Sequence, residues 1–393
     1  MVHYEHIETD EQLAAYCAKL AQCSRVAFDT EFVSEDTYRP ELCLIQVASD
    51  AGLAIIDPLR LDVRPFWQVL LQQDVETTVH AGREEYRFLR FATQDHPFQW
   101  YDIQIAAGMI GCDYPASYAS LVSKLLGQTI PKGETRTDWR KRPLSKRQLD
   151  YAVNDVVYLF PLRDKIGRKL DKQARSAWIW EELDRWQNQM DEEAVNERWR
   201  RVSSISQLSP RGLAIAREIW RWRETEAQSR NQPPKRVLRD DLIVEIARRE
   251  LASPEQVRAI RGMERRGLQK AVGAIADAVQ KGLAVPKDEC PPRGKSSRPP
   301  LTLIGQFLAT ALSSVCRDAK VAPSLVGGAE AVRDLVAYQL NVAKTNTVVP
   351  SLASGWRAEL VGNALSEVLE GKKAIKVHEP LSDQPLSFID LEL

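Results

Sequence analysis

Two carboxylates, Asp29 and Glu31, stand two positions apart where the apolar run RVAFDT (25–30) ends. If that run is a strand, its period of two puts both side chains on one face. Carboxylates placed together in a sheet repel each other unless a cation, a proton or hydrogen bonds compensate. A pair of divalent cations would do so, and would suit phosphodiester hydrolysis. The tripeptide alone leaves a second reading open, in which Asp29 caps a turn and Glu31 faces solvent. Tyr151 and Asp155 are four apart in LDYAVNDVVYL, which is one face of a helix. That carboxylate could complete a metal site while the hydroxyl orients a water for in-line attack. A purely structural Tyr–Asp pair has the same spacing.

The elements that must hold these residues can be read from the pattern. Strands are expected at 25–30, 41–48 (ELCLIQVA), 53–56 (LAII) and 76–80 (ETTVH), with helices at 63–72 and 83–93. Alternating strands and helices indicate an α/β or α+β domain around a mixed sheet. From 103 onward the pattern is mainly helical. SYASLVSKLLG ends at Gly127, and Ser145 is the expected N-cap of a helix running from 146 to about 160, where Pro161 interrupts it. A long polar helix is expected over 162–200. Helical segments at 210–227, 238–250, 254–261 and 267–281 form a separate unit. A Pro-rich basic linker covers 286–300, and further helices lie near 301–318, 323–340 and 354–370.

Composition bounds the function. The chain has 393 residues, 54 Lys/Arg against 54 Asp/Glu, and 44% hydrophobic residues, which suits two or three globular domains. No basic-plus-apolar leader and no apolar run of transmembrane length is visible, so no membrane association is expected. The six cysteines share no CxxC spacing. Neither a disulfide framework nor a cysteine zinc site is expected, which fits the cytoplasm. The zero net charge hides a division. Residues 1–196 carry 23 Lys/Arg against 31 Asp/Glu, whereas residues 197–290 carry 20 against 13. An acidic part that could hold cations precedes a basic part that could hold phosphates.

Taken together, the motifs resemble the ribonuclease D family, which belongs to the 3′→5′ exonucleases with four acidic residues and a tyrosine. VAFDTEF matches the first exonuclease motif, TVHAGREEYRFL the second and LDYAVNDVVYL the third, in order across about 175 residues. LSPRGLAIAREIWRWRETEAQSRNQPPKRVLRDDLIVEIARRE and VRAIRGMERRG resemble an HRDC domain. VAPSLVGGAEAVRDLVAY and GWRAELVGNALSEVLEGKKAIKV more weakly resemble a second one, with Gly362 at a close helix contact. The resemblance implies an α/β exonuclease domain, ribonuclease H-like with a mixed central sheet, followed by two all-α HRDC-like domains. Its boundaries here are 1–175 for the exonuclease, 176–204 for a helical linker and 205–285 for the HRDC domain. The linker at 286–300 then leads to the second HRDC-like domain at 301–377 and a tail at 378–393.

The same resemblance implies a catalytic set of Asp29, Glu31, Glu85, Tyr151 and Asp155. The four carboxylates would hold two Mg²⁺ or Mn²⁺ ions, and no covalent nucleophile is needed. Position 85 departs from the pattern, which has Asp five residues after the His of HA, here His80. Glutamate keeps the charge but sits one methylene farther out, and Mg²⁺ demands near-ideal geometry. Glu84 would point elsewhere. Asp102 of WYDIQIA is expected to cap the helix after it, with a metal role as the alternative. His80 is read as structural or as lining the substrate channel.

Nucleic-acid contacts are expected from Lys132, Arg136, Arg140, Lys141, Arg142, Lys146 and Arg147, with Trp139 available for base stacking. Arg236, Arg239, Arg261 and Arg265 would contact the backbone from the HRDC domain. A solvated basic surface explains the same compositions. The implied partner is RNA with a free 3′ end, such as a tRNA precursor or a small structured RNA, with no obligatory protein partner. A DNA 3′→5′ exonuclease, or an RNA-binding protein whose nuclease is weakened by Glu85, are the competing readings.

Overall fold

The run around Asp29 is an inner strand of a six-stranded sheet, in a computed structural model that describes residues 3–131, 137–293, 302–341, 349–382 and 385–391. The first elements are β1 (Glu5–Ile7), α1 (Asp10–Leu20), β2 (Arg25–Val33), β3 (Glu41–Ser49) and β4 (Gly52–Ile56). They are followed by α2 (Arg64–Leu70), β5 (Glu76–Val79), α3 (Arg83–Thr93), β6 (Gln99–Asp102) and α4 (Ile103–Gly108). The strand order is β1-β4-β3-β2-β5-β6. β3 and β4 pair antiparallel, whereas β1–β4, β2–β5 and β5–β6 pair parallel. The sheet is therefore mixed. The apolar residues of β2 explain its inner place. Phe28 is fully buried and makes edge-on ring contacts with Phe66, Trp67 and Trp100 at 5.6–6.1 Å. Such T-shaped pairs contribute roughly 0.5–1.5 kcal/mol each beyond their buried area.

The helical part begins with α5 (Tyr118–Leu121), whose last turns run on to Gly127. Gly127 closes them at φ 69°, the left-handed conformation that glycine adopts without strain. α6 (Lys146–Asn154) starts at a capping box between Ser145 and Gln148. It ends earlier than expected, at Asp155, and a turn leads into α7 (Leu159–Lys172). Pro161 lies in the first turn of α7, where a missing N–H leaves no bond unmade, so it does not break the helix. The long polar helix is also two helices. α8 (Ser176–Val195) follows α7 after a turn in which Ala174 takes φ 54°. The expectations missed β1 and β6, which have only three and four residues.

The chain divides into two compact units. One contains residues 1–31, 42–188 and 298–393, and the other contains 32–41 and 189–297. In the second unit lie α9 (Pro210–Ser229), α10 (Pro234–Val237), α11 (Asp240–Arg249), α12 (Pro254–Arg258), α13 (Arg266–Gln269) and α14 (Val272–Ala284). Leu213, Ile219, Leu242, Ile246 and Ile260 are in its core. Trp222 is only partly buried, and the neighbouring Arg223 goes inside instead, donating to Asp240 Oδ1 at 2.7 Å.

The first unit also takes α15 (Thr302–Asp318), α16 (Pro323–Val326), α17 (Ala329–Gln339), α18 (Gly355–Arg357) and α19 (Asn363–Leu369). Leu308, Leu325, Val326 and Trp356 share one hydrophobic core with Ala27, Tyr101 and Ile105 of the exonuclease elements. Polar bonds fix the contact. Arg175 donates to the Met109 carbonyl at 2.7 Å and to the Lys320 carbonyl, and Ala322 N–H donates to the Gly108 carbonyl at 2.8 Å. Gly362 is indispensable in its place, because a Cβ there would lie 1.7 Å from the Leu352 carbonyl oxygen. β7 (Lys373–Val377) and β8 (Leu386–Asp390) form an antiparallel hairpin that no periodicity announced.

Candidate active site

Three elements of the first unit carry the acidic residues. β2 carries Asp29 and Glu31, both half-buried on one face. α3 carries Glu85 as its third residue, and α6 carries Tyr151 and ends on Asp155. The carboxylates influence one another strongly. Burial, then the charges of Glu85, Asp155 and Glu31, push the Asp29 carboxyl well above the usual range. Burial, then Asp155 and Glu85, raise Glu31 to about 8. Burial raises Asp155 to about 7 against a hydrogen bond from Tyr151. Burial likewise raises Glu85 to about 7, opposed by bonds from Thr30 and from its own backbone N–H. The Tyr151 hydroxyl is pushed up by burial and by Asp155, so it stays protonated and can donate.

Carboxylates of this kind, with Asp29 and Glu31 raised by the charges of their neighbours, supply the hard oxygen donors that divalent cations take. Among the described residues none of the four forms an ion pair with Lys or Arg, and no group of three or more His, Cys, Asp or Glu side chains is placed to hold a metal ion as they lie here. The charge deficit predicts a linkage. Each group with a raised pKa contributes stability that is present below its unfolded pKa, near 4, and is lost as pH rises through its folded value. Thermal melts in EDTA and in Mg²⁺ should therefore diverge as pH rises from 6 to 8.5. The cation-induced gain is expected to be larger at the higher pH, and an equal gain at both would contradict the linkage.

The second rank around the carboxylates was less visible in the sequence. Asp102, only 2% exposed, caps α4 by accepting from Gln104 N at 2.8 Å. It also accepts from Ala81 N and Gly82 N at 3.1 and 2.9 Å, which fixes the turn that starts α3 and aims Glu85. No metal role is needed to explain it. His80 bonds the Ala116 carbonyl through Nε2 at 3.0 Å and lies against Tyr118. The Tyr118 hydroxyl accepts from Tyr158 N at 3.0 Å, in the turn directly after Asp155. Their partners at Ala81, Gly82, Ala116 and Tyr158 lie 20 to 40 residues away, so no local pattern could have disclosed Asp102, His80 or Tyr118 as a frame.

Two basic-segment expectations are corrected. Trp139 is not presented for base stacking. It is 4% exposed, with its ring 6.0 Å from that of Tyr151, so it backs the tyrosine instead. Arg142 is not free for phosphate. Its guanidinium is bidentate to the fully buried Asp57 at 2.6 and 2.7 Å and donates to the Cys43 and Trp139 carbonyls. An Arg so committed staples the segment to the sheet. Arg140 pairs with Asp138 at the surface. Lys141, Lys146 and Arg147 are exposed, whereas Lys132 and Arg136 lie outside the described residues. In the second unit Arg236, Arg239 and Arg265 line one hollow with Lys235 and Gly262. Arg239 there also pairs with Asp241, and Arg261 is exposed nearby in sequence but is not part of that lining.

A mixed sheet that gathers these carboxylates beside a tyrosine defines a 3′→5′ exonuclease domain, and the sequence profile of the 3′-5′ exonuclease family matches residues 4–171. The HRDC domain profile matches residues 212–279. The chain is 31% identical to ribonuclease D of Zymomonas mobilis over 93% of its own length and 94% of that protein. It is 32% identical to ribonuclease D of Sphingobium indicum over 94% of its length and 96% of that chain. The crystal structure of Escherichia coli RNase D, described as an exoribonuclease involved in structured RNA processing, superposes with a TM-score of 0.82 at 28% identity. That match covers 94% of this chain and 99% of the other. The chain belongs to the ribonuclease D family and is a 3′→5′ exoribonuclease with an HRDC domain.

Proposed function

We propose that the chain removes nucleoside 5′-monophosphates from the 3′ end of RNA, with Asp29, Glu31, Glu85 and Asp155 holding two Mg²⁺ or Mn²⁺ ions. The observation that carries this reading is the set of four carboxylates whose charge no Lys or Arg of the described residues balances. When bound, such ions supply Lewis acidity and offset charge on the scissile phosphate. The chain's own groups position the reaction. Tyr151, protonated and hydrogen-bonded to Asp155, orients the attacking water for in-line displacement. Trp139 and the Asp57–Arg142 staple keep Tyr151 in place from behind. Asp29, whose carboxyl the charges of all three others raise, is read as the ligand shared by both ions.

The substrate reading is a 3′ tail of a tRNA precursor or another small structured RNA. Support comes from the relatives' names, and from exposed cations on both units. Lys141, Lys146 and Arg147 lie beside Tyr151 in sequence, and Arg236, Arg239 and Arg265 cluster around one small hollow of the HRDC domain. Residues 301–377 are read as a second HRDC-like module within the proposed boundaries 1–175, 205–285 and 301–377. Among the described residues no helix is long and apolar enough to cross a membrane, and the site of action is read as the cytoplasm.

The test uses end-labelled RNA and DNA of one sequence with Mg²⁺, Mn²⁺ or EDTA. Metal-dependent shortening of RNA from its 3′ end is expected, with DNA degraded more slowly. Equal inactivity with both metals would sink the enzymatic reading, and faster DNA cleavage would favour a DNA exonuclease. Glu85→Asp should change the rate by up to about 10²-fold, since a misplacement of about 1 Å can cost on that order. A large gain would show that the longer carboxylate weakens the enzyme.

A further inference from the structure

Asp155 owes its place to a break in a helix. The stretch VNDVVYLF (153–160) contains neither Gly nor Pro, so a helix begun at Lys146 could run into it. Pro161 forbids a straight course beyond, because its ring would meet the Val157 carbonyl. It does not decide on which residue the first helix ends. The backbone bonds decide that. Val157 N–H still donates to the Val153 carbonyl at 3.2 Å, four residues back as a helix requires. The next amide, that of Tyr158, leaves the ladder. In a continuous helix its acceptor would be the Asn154 carbonyl. It donates instead to the Tyr118 hydroxyl at 3.0 Å. α6 therefore closes on Asp155, and α7 starts from Tyr158, which sits at φ −102° and ψ 2°.

Tyr118 is placed to make that bond. It is the first residue of α5, directly behind the Ser117 cap. The turn before it is pinned at the Ala116 carbonyl, which His80 Nε2 and Gln104 Nε2 both reach at 3.0 Å. The ring lies against that of His80, with centroids 5.7 Å apart. A rigid ring held at its base carries its oxygen to a fixed point, and there the Tyr158 N–H finds its acceptor. Burial, opposed by that N–H, and then the charges of Asp155 and Asp29 push the hydroxyl up, so it keeps its proton in the field of both carboxylates.

We infer that Tyr118 is a positioning residue for the exonuclease reaction: by taking the Tyr158 amide it ends α6 at Asp155 and sets that carboxylate, with Tyr151 one turn earlier, in the place from which the two act. The inference rests on the reading of Tyr151 and Asp155 as members of the catalytic set. Tyr118 itself is not asked to touch RNA. Without the hydroxyl, the amide has no partner where the break stands, and the turn of residues 155–158 loosens. Asp155 moves with the backbone that carries it. A displacement of about 1 Å in such a group can cost on the order of 10²-fold in rate.

Phenylalanine keeps the ring against His80 and removes only the oxygen. The experiment compares Tyr118→Phe with wild type in the full chain. Amide exchange is followed by mass spectrometry without RNA, over residues 154–160 and over the rest of the first unit. kcat and KM are measured with Mg²⁺ on an end-labelled oligoribonucleotide. Exchange at 156–159 is expected to be about tenfold faster in the variant, with the rest of the unit unchanged. kcat should fall by about tenfold, with KM within about twofold. Wild-type exchange in that stretch would show that the bond does not hold the break. Faster exchange with wild-type kcat would show that the break does not serve the reaction. A rise in KM that matches the fall in kcat, or faster exchange throughout the unit, would make Tyr118 a general structural residue. Each of these results overturns the inference. If the wild type itself shortens no RNA, the reading of the catalytic set fails, and the inference with it. Failure of Tyr118→Phe alone leaves that reading standing.

Discussion

Replacing Asp29 by asparagine is expected to slow 3′ shortening of RNA by about three orders of magnitude while raising the melting temperature in EDTA. The two effects share a cause. Burial and three neighbouring carboxylates hold Asp29 far above the usual carboxylate range, so its charge opposes the metal-free fold. Asparagine keeps the shape and discards that charge, which relieves Glu31, Glu85 and Asp155 together. In catalysis the same charge is needed, and a thousandfold loss corresponds to about 4 kcal/mol of transition-state stabilisation. Divalent cation should reverse the order of melting, because wild type gains more from it than the variant. Wild-type activity in Asp29→Asn would remove Asp29 from the machinery. A lower melting point in EDTA would show that the carboxylates do not repel as inferred.

The second large effect lies away from the chemistry. Arg357→Ala is expected to destabilise the first unit by about 3–5 kcal/mol, the cost of stranding a buried ion-pair partner. Glu182 and Arg357 have side chains 5% exposed each. Arg357 donates to both Glu182 oxygens and to the Val326 and Leu325 carbonyls at 2.9 Å, and Trp356 Nε1 donates to Glu182 at 3.1 Å. Burial alone would raise the Glu182 carboxyl, but the bonds and charges of Arg357 and Arg185 overcome it and leave it lowered. A lowered folded pKa contributes stability above the unfolded value that is lost as pH falls through the folded one. The gap between wild type and Arg357→Ala in urea midpoint should therefore be widest near pH 7 and narrow toward pH 3. A gap that is small at pH 7, or that widens in acid, would contradict this account.

Much of the positioning scaffold was legible because it is local. RVAFDT has the run of apolar residues an inner strand requires, Ser145 and Gln148 have the spacing of a capping box, and Gly127 stands where a helix must turn left-handed. What stayed hidden depends on partners far along the chain. Trp139 in a run of basic residues looks available, and only the fold shows it buried with its ring against Tyr151. Arg142 looks like one phosphate ligand among seven cations until Asp57, 85 residues earlier, claims the Nε–Nη2 edge of its guanidinium. The helices from 302 to 369 show apolar faces, but periodicity does not say what covers them. Their partner is the exonuclease core, through contacts such as Ala322 with Gly108. The hairpin of β7 and β8 carries too few residues per strand for alternation to stand out.

The division of the first unit into three stretches has a consequence for how the molecule is made. Residues 298–393 complete the same core that residues 1–31 begin. A chain emerging from the ribosome must leave Tyr101, Ile105 and their neighbours partly uncovered until Leu325 and Trp356 arrive more than 200 residues later. Contacts of that sequence separation fold slowly, and nascent apolar surface is where aggregation starts. The helices of residues 189–297 need no such delay, since their core draws almost entirely on that stretch. The unit that contains the HRDC domain would thus mature first. The nuclease, although encoded ahead of it, becomes whole only once the chain has returned to close it.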